Sequence, residues 1–289
     1  MHQMSQDRAH FGQVLRSRPR WLACLTMAVL LCLGAPAAGQ PALATAAPRA
    51  ILLDFATSKV LFEKNADQLT APASLAKLMT VEILLEHIRK GHIRLDDAFT
   101  VSEQAARLAR GATMALLPGA RVRVHDLLQG MLVISANNAA VVVAERIAAS
   151  VPQFAALMNQ RAREIGLTRS RFTNPHGLPD PGQHVTMREM AALAGHLIRT
   201  YPGHYGFFGQ PAFTFNDVTQ RNRNPLLGLG IGADGLKTGQ TNEAGYALVA
   251  SAERDGRRLI LAMNGLKSEA DRAHEARKLM EWGFGRGPE

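Results

Sequence analysis

Two apolar runs, AILLDF (50–55) and KVLFEK (59–64), flank Ala56-Thr57-Ser58 and read as the strands of a hairpin. From Ser74 to about Lys90 the chain is helix-forming, SLAKLMTVEILLEHIRK, and it is stopped by Gly91. Apolar residues occupy nearly every side of the first half of this helix, which predicts an interior position. Residues 95–165 read as several helices. The strongest are VHDLLQGMLVI and NAAVVVAERIA, parted at Ser135-Ala136-Asn137. Residues 166–185 are rich in Pro and Gly, lack periodicity and predict a long loop. TMREMAALAGHLIRTY resumes helix, with Thr186 as N-cap and Glu189 completing a capping box. GLKTG (235–239), GYALVASA (245–252) and RRLILAMNG (257–265) return to strand, the last two joined through Asp255-Gly256, a hairpin signal. SEADRAHEARKLMEWGF closes the pattern as an amphipathic helix. Strands from both ends of the chain meet most simply in one antiparallel sheet. The class is therefore α/β in the α+β sense, with a helical lobe at about 95–200 and a cleft between lobe and sheet.

Composition alters this picture at one end only. The 289 residues are 47% hydrophobic, enough for one large domain or two packed lobes. In the first 40, Arg16, Arg18 and Arg20 precede WLACLTMAVLLCL (21–33) and an Ala- and Pro-rich exit, the pattern of a secretory signal peptide. About thirteen apolar residues fall short of the ~20 that span a bilayer, so no transmembrane segment is expected in the mature chain. Residues 41–49 are expected to form a flexible lead. Cys24 and Cys32 both lie in the export segment, so the mature chain would hold no disulfide and no thiol nucleophile. The formal net charge of +9 falls to +6 without residues 1–40, and the charges are scattered. No nucleic-acid module is present, and the ten histidines show no ligand spacing. Neither a metal nor a cofactor is expected.

The candidate chemistry begins at PASLAKLMT. Ser74 and Lys77 are three apart, so on a helix they share a face, and a desolvated lysine of lowered pKa can take a proton from a serine hydroxyl. Ser135-Ala136-Asn137 follows an apolar run at a helix break, where polar side chains can reach a cleft. Lys237-Thr238-Gly239 opens a strand and supplies a cation, a hydroxyl and room for close backbone approach. Each triplet alone is weak evidence. The three in this order form a recognised set.

With these residues in hand, the chain resembles the low-molecular-mass penicillin-binding proteins that act as serine-type D-Ala-D-Ala carboxypeptidases. The resemblance runs from about residue 50 to residue 284. It includes ILLDFATSKVLFEKNAD, PASLAKLMT, ISANNAA, TNPHGL, FTFNDVTQRNRNPLL, DGLKTGQTNEAGYALVASA and WGF. It implies a β-lactamase/transpeptidase-like fold, an antiparallel five-stranded sheet flanked by helices plus an all-helical lobe. It implies that Ser74 is acylated by a peptidoglycan pentapeptide with loss of the terminal D-Ala, Lys77 being the base and Ser135 passing the proton to the leaving amine. Asn137 would hold the substrate amide, while Lys237 and Thr238 would meet the carboxylate. The N–H groups of Ser74 and Gln240 would form the oxyanion hole beside Gly239. Arg272 and Arg223 are candidates for the carboxylate end. β-Lactams would be inhibitors, and the location would be periplasmic.

The chain departs from the family in having Gln240 where a histidine is common after Lys-Thr-Gly, and Asn138 where Asp is frequent. Many relatives continue past WGF into a β-rich domain and an amphipathic helix, whereas this chain stops at Glu289. Three other readings remain open: a DD-endopeptidase, a serine β-lactamase and an inactive envelope-binding protein. The β-lactamase reading lacks a glutamate in the loop after Gly166.

Overall fold

The computed structural model describes residues 43–285. The expected export signal at 1–40 lies outside them. Strands β1 (Arg49–Asp54) and β2 (Val60–Lys64) form the first hairpin. A 3₁₀ turn, Ala73–Ala76, leads into α1 (Lys77–Arg89). There follow β3 (Ala98–Thr100), α2 (Glu103–Arg107), β4 (Arg121–Arg123), α3 (Val124–Leu132), α4 (Asn137–Ala148), α5 (Val151–Glu164) and α6 (Met187–Thr200). A small hairpin, β5 (Ala212–Phe215) and β6 (Val218–Arg221), precedes β7 (Ala233–Thr241), β8 (Gly245–Arg254) and β9 (Arg257–Leu266), and α7 (Glu269–Gly285) comes last.

The main sheet has the order β2-β1-β9-β8-β7, and all its pairings are antiparallel. Strands from the two ends of the chain thus meet at β1–β9, and β7 is left as an edge. Residues 247–252 of β8 and 259–264 of β9 are buried without alternation, because helices cover both faces. Ile51, Val249, Ile260 and Ala262 join the core formed with the helices on one face. On the other face Gly283 of α7 sits so close to Leu52 and Leu259 that a Cβ would come within 2.6 and 2.8 Å of their methyl groups.

Four expectations are corrected. Ser74 lies in the 3₁₀ turn one step before α1, where i and i+3 still stack. Helix α6 packs on β1, β8 and β9 and so belongs to the layer over the sheet, and the helical lobe ends before it. The segment expected to be a flexible lead is fastened from Thr45, whose hydroxyl donates to Glu275 at 2.7 Å while its carbonyl accepts from Lys64; Ala47 is fully buried. The stretch at 95–123 also contains the antiparallel β3–β4 pair, whose three-residue strands are too short to leave a periodic signal.

Thr186 caps α6 as expected, accepting from the Glu189 N–H at 3.1 Å. The Glu189 carboxylate does not complete the box. It accepts instead from the Arg169 N–H and the Ser170 hydroxyl, tying the loop to the helix start. Replacing the buried cap, Thr186→Ala, is expected to lower the unfolding free energy by about 1 kcal/mol, read from denaturant midpoints at unchanged slope.

Candidate active site

Helix α1 is the rod on which the site is built. Residues 77–86 are all buried. Its far half is held by Glu82, fully buried, whose Oε1 accepts from Arg161 at 2.9 Å, from the Tyr201 hydroxyl at 3.0 Å and pairs with His196 at 3.1 Å. Burial alone would raise this carboxyl's pKa. The bonds from His196 and Arg161 outweigh it and keep the group ionised.

At the near end Lys77 Nζ lies 3.0 Å from Ser74 Oγ, 2.6 Å from Asn137 Oδ1 and 2.7 Å from the carbonyl oxygen of His176. Burial, then the charges of Lys237 and Arg223, hold its pKa well below the usual lysine range. A neutral amine has two N–H donors and one lone pair. Asn137 Oδ1 and the His176 carbonyl can only accept, so they take both hydrogens. In that neutral form the lone pair is left for Ser74, whose hydroxyl can donate to it across 3.0 Å; in the charged form the amine donates to Ser74 Oγ instead. The orientation of Asn137 is set independently, since its Nδ2 donates to the Arg110 carbonyl at 2.7 Å.

The loop at 174–178 is drawn onto α1 by its carbonyls. Thr80 donates to Pro175 at 2.6 Å and Lys77 donates to His176. Asn174 closes the loop on itself, accepting from Gly177 and donating to Leu178. Burial, with the Arg110 charge, pushes the His176 pKa well down, and its neutral Nδ1 accepts from the Leu178 N–H. Two glycines then press on the serine. A Cβ on Gly177 would lie 1.8 Å from the Ala73 carbonyl oxygen, and one on Gly239 would lie 3.3 Å from the Ser74 nitrogen. Ala73 (φ +47°) and Ser135 (φ +66°) both hold left-handed backbone that a side chain disfavours, a strain that packed surroundings must maintain.

These groups border a cleft of about 490 Å³, a ligand-sized space. Ser74, Ser135, Asn137, Thr238, Gly239, Gln240, Arg223 and Arg272 all line it, so the structure brings together the residues singled out from the sequence. Lys77 and Lys237 do not line it, and both are fully buried. Lys237 donates to the Thr238 carbonyl at 3.0 Å and, among the described residues, has no carboxylate partner. Burial, Arg223 and Arg272 bring its pKa to about 7. Arg272 is buried on α7, over the Tyr246 ring, whereas Arg223 is exposed.

Sequence reasoning missed His176, Arg110 and Gly177, because two of them act through backbone carbonyls and the third through lacking a side chain. It also left Asn138 unexplained. That carboxamide accepts from the Met114 N–H at 2.9 Å and donates to the Met114 carbonyl at 2.8 Å, a pairing that an ionised Asp would half lose. Among the described residues no group of acidic, His or Cys side chains could hold a metal ion.

Two outcomes follow from this geometry. Gly177→Ala must displace Ala73 and Ser74, and a shift of about 1 Å at a reacting atom is enough for roughly a hundred-fold loss of rate, measured as Ser74 acylation. Lys237→Met should stabilise the fold at pH 7. The folded pKa is below the unfolded one, so the cost of burying the amine is full below about 7 and fades towards ~10.4, by roughly 1.4 kcal/mol per pH unit. The gain in Tm should therefore shrink as pH rises; a gain independent of pH would contradict this account.

Residues 35–267 match the family described as D-alanyl-D-alanine carboxypeptidase, Peptidase_S11. The chain is 42% identical over 240 residues to the D-alanyl-D-alanine carboxypeptidase DacC of Escherichia coli, covering 81% of this chain and 60% of that protein. Penicillin binding protein 5 of Haemophilus influenzae superposes with a TM-score of 0.83 at 38% identity, covering 86% of this chain and 73% of that one. Penicillin-Binding Protein D2 of Listeria monocytogenes, solved in an ampicillin-bound form, gives a TM-score of 0.74 at 31% identity over 85% of this chain and 100% of the other. The chain spans about 60% of the length of the curated relatives it matches. The sequence motifs, the sheet order and these likenesses agree: the chain belongs to the D-alanyl-D-alanine carboxypeptidase family.

Proposed function

We propose that this protein is a serine D-Ala-D-Ala carboxypeptidase that trims peptidoglycan stem peptides and is acylated by β-lactams. The observation that carries the reading is the fully buried amine of Lys77, 3.0 Å from Ser74 Oγ, whose other two partners can only accept, so that in its neutral form the lone pair is turned to Ser74. Ser74 Oγ attacks the carbonyl of the penultimate D-Ala while its proton passes to Lys77. The developing oxyanion is met by the N–H groups of Ser74 and Gln240, a contribution typically worth 10²–10³ in rate per donor. The C–N bond then breaks, and the leaving amine of D-Ala takes the proton back by way of Ser135. Water cleaves the ester and restores Ser74.

The cleft suits a C-terminal carboxylate, with Thr238, Arg223 and Arg272 on its wall and Lys237 packed behind. Asn137 keeps one amide hydrogen beyond its bond to Arg110, free to hold a substrate carbonyl. The 166–185 loop contributes His176, Gly177 and Leu178 to the lining but no carboxylate, which favours slow loss of a penicilloyl group over β-lactamase turnover. The basic, apolar and small-residue order of the first 40 residues supports export to the periplasm. Among the described residues no single helix is long and apolar enough to cross a membrane.

The test supplies a D-Ala-D-Ala pentapeptide, a cross-linked peptide dimer and a penicillin. Free D-Ala from the pentapeptide and a long-lived penicilloyl group on Ser74, both lost in Ser74→Ala, are expected. Preferential cleavage of the dimer would replace this reading with the endopeptidase. Rapid penicillin hydrolysis would replace it with the β-lactamase, and no product and no adduct with the binding protein.

A further inference from the structure

The charges around the cleft are unequal. Arg223 and Arg272 line it, with Lys237 close behind, yet Glu269 is the one carboxylate among the described lining residues. Glu269 opens α7, and its side chain is 71% exposed. It nonetheless turns back onto the buried Arg272, its Oε1 accepting from a terminal guanidinium nitrogen at 2.7 Å. Arg272 has little else. The same nitrogen reaches the Arg223 carbonyl only at 3.5 Å, the Tyr246 ring lies 5.6 Å from the guanidinium carbon, and the buried Nε has no hydrogen-bond partner among the described residues. A buried guanidinium with an orphan donor is an unfinished carboxylate site, because its planar fork is built for two oxygens at once.

We propose that Glu269 is a built-in competitor for the substrate's terminal carboxylate, capping Arg272 in the empty cleft and lowering affinity for acid-terminated ligands. The proposal rests on the reading of the cleft as a D-Ala-D-Ala site. An exposed side chain at the start of a helix can swing into water when a ligand arrives, at little cost to the fold. The ligand's carboxylate then takes over the guanidinium, but it must do so against a resident anion. The effect discriminates by charge: a ligand ending in a neutral amide has no claim on Arg272 and is indifferent to Glu269.

The test measures equilibrium binding of an acyl-D-Ala-D-Ala peptide and of its C-terminal amide by titration calorimetry. Ser74→Ala protein with and without Glu269→Gln is used, so that no chemistry intervenes. The Glu269 end of the pair is in water and screened, so Glu269→Gln should lower Kd for the free acid by up to about five-fold and leave the amide unchanged. No change, weaker binding of the acid, equal changes for acid and amide, or no binding of either peptide would overturn the proposal. Turnover is assayed separately with unaltered Ser74. Should the carboxypeptidase reading fail, it fails there, while the binding difference is read independently.

Discussion

Removing one lysine amine from water sets the terms for the rest of the site. Among the described residues Lys77 has no carboxylate to neutralise it. It has two oxygens that can only accept, two nearby cationic side chains and a serine hydroxyl. Burial and the two cations push the amine towards its neutral form, the one with a lone pair, while the acceptor oxygens work the other way. The same residue facing solvent would carry its ordinary charge and would be no base at neutral pH. Every element that touches the site contributes to keeping that amine dry and correctly surrounded: α1 carries it, α4 supplies Asn137, the 174–178 loop supplies a carbonyl, and β7 brings the second lysine.

This arrangement is unfavourable when taken alone. Two buried amines, a buried guanidinium with an unpaired nitrogen, and left-handed backbone at Ala73 and Ser135 each destabilise the folded chain. The opposing contributions lie next to the site. The sheet is covered on both faces, and the core of the helical side is continuous from α1 through α3, α4 and α6. Behind the turn that carries Ser74, Glu82 Oε1 is held by three partners from α5, α6 and the segment after it, so α1 is fixed at both ends. Close packing converts that rigidity into position at Ser74, where Gly177 and Gly239 leave no room for the turn to relax.

The electrostatics of the cleft follow from the same economy of carboxylates. Positive groups gather at one end, where an anionic chain terminus would sit, and their repulsion adds to burial in depressing Lys237. A ligand carboxylate would relieve that repulsion, so binding and protonation are coupled across the cleft. Among the described residues Arg272 takes its one carboxylate from its own helix, three residues earlier, a spacing that any exposed helix can offer.

The sequence alone determined the segments and much of the site. Apolar runs and their bounds marked α1, α4 and β7–β9, and Asp255-Gly256 marked a turn, because helix, strand and turn preferences are local. The i, i+3 relation of Ser74 and Lys77 was equally local, and it survived the change from helix start to 3₁₀ turn. What the tertiary structure decided was everything carried by groups that no side-chain pattern encodes. The His176 and Arg110 carbonyls are common to all residues, and only folding selects which of them meet Lys77 and Asn137. The mooring of Thr45 to Glu275 joins positions 230 residues apart. The placement of α6 on the sheet and the diversion of Glu189 from its cap depend likewise on which surfaces meet. Local rules stop where chain segments distant in sequence come into contact, and the lowered pKa of Lys77 arises from just such contacts.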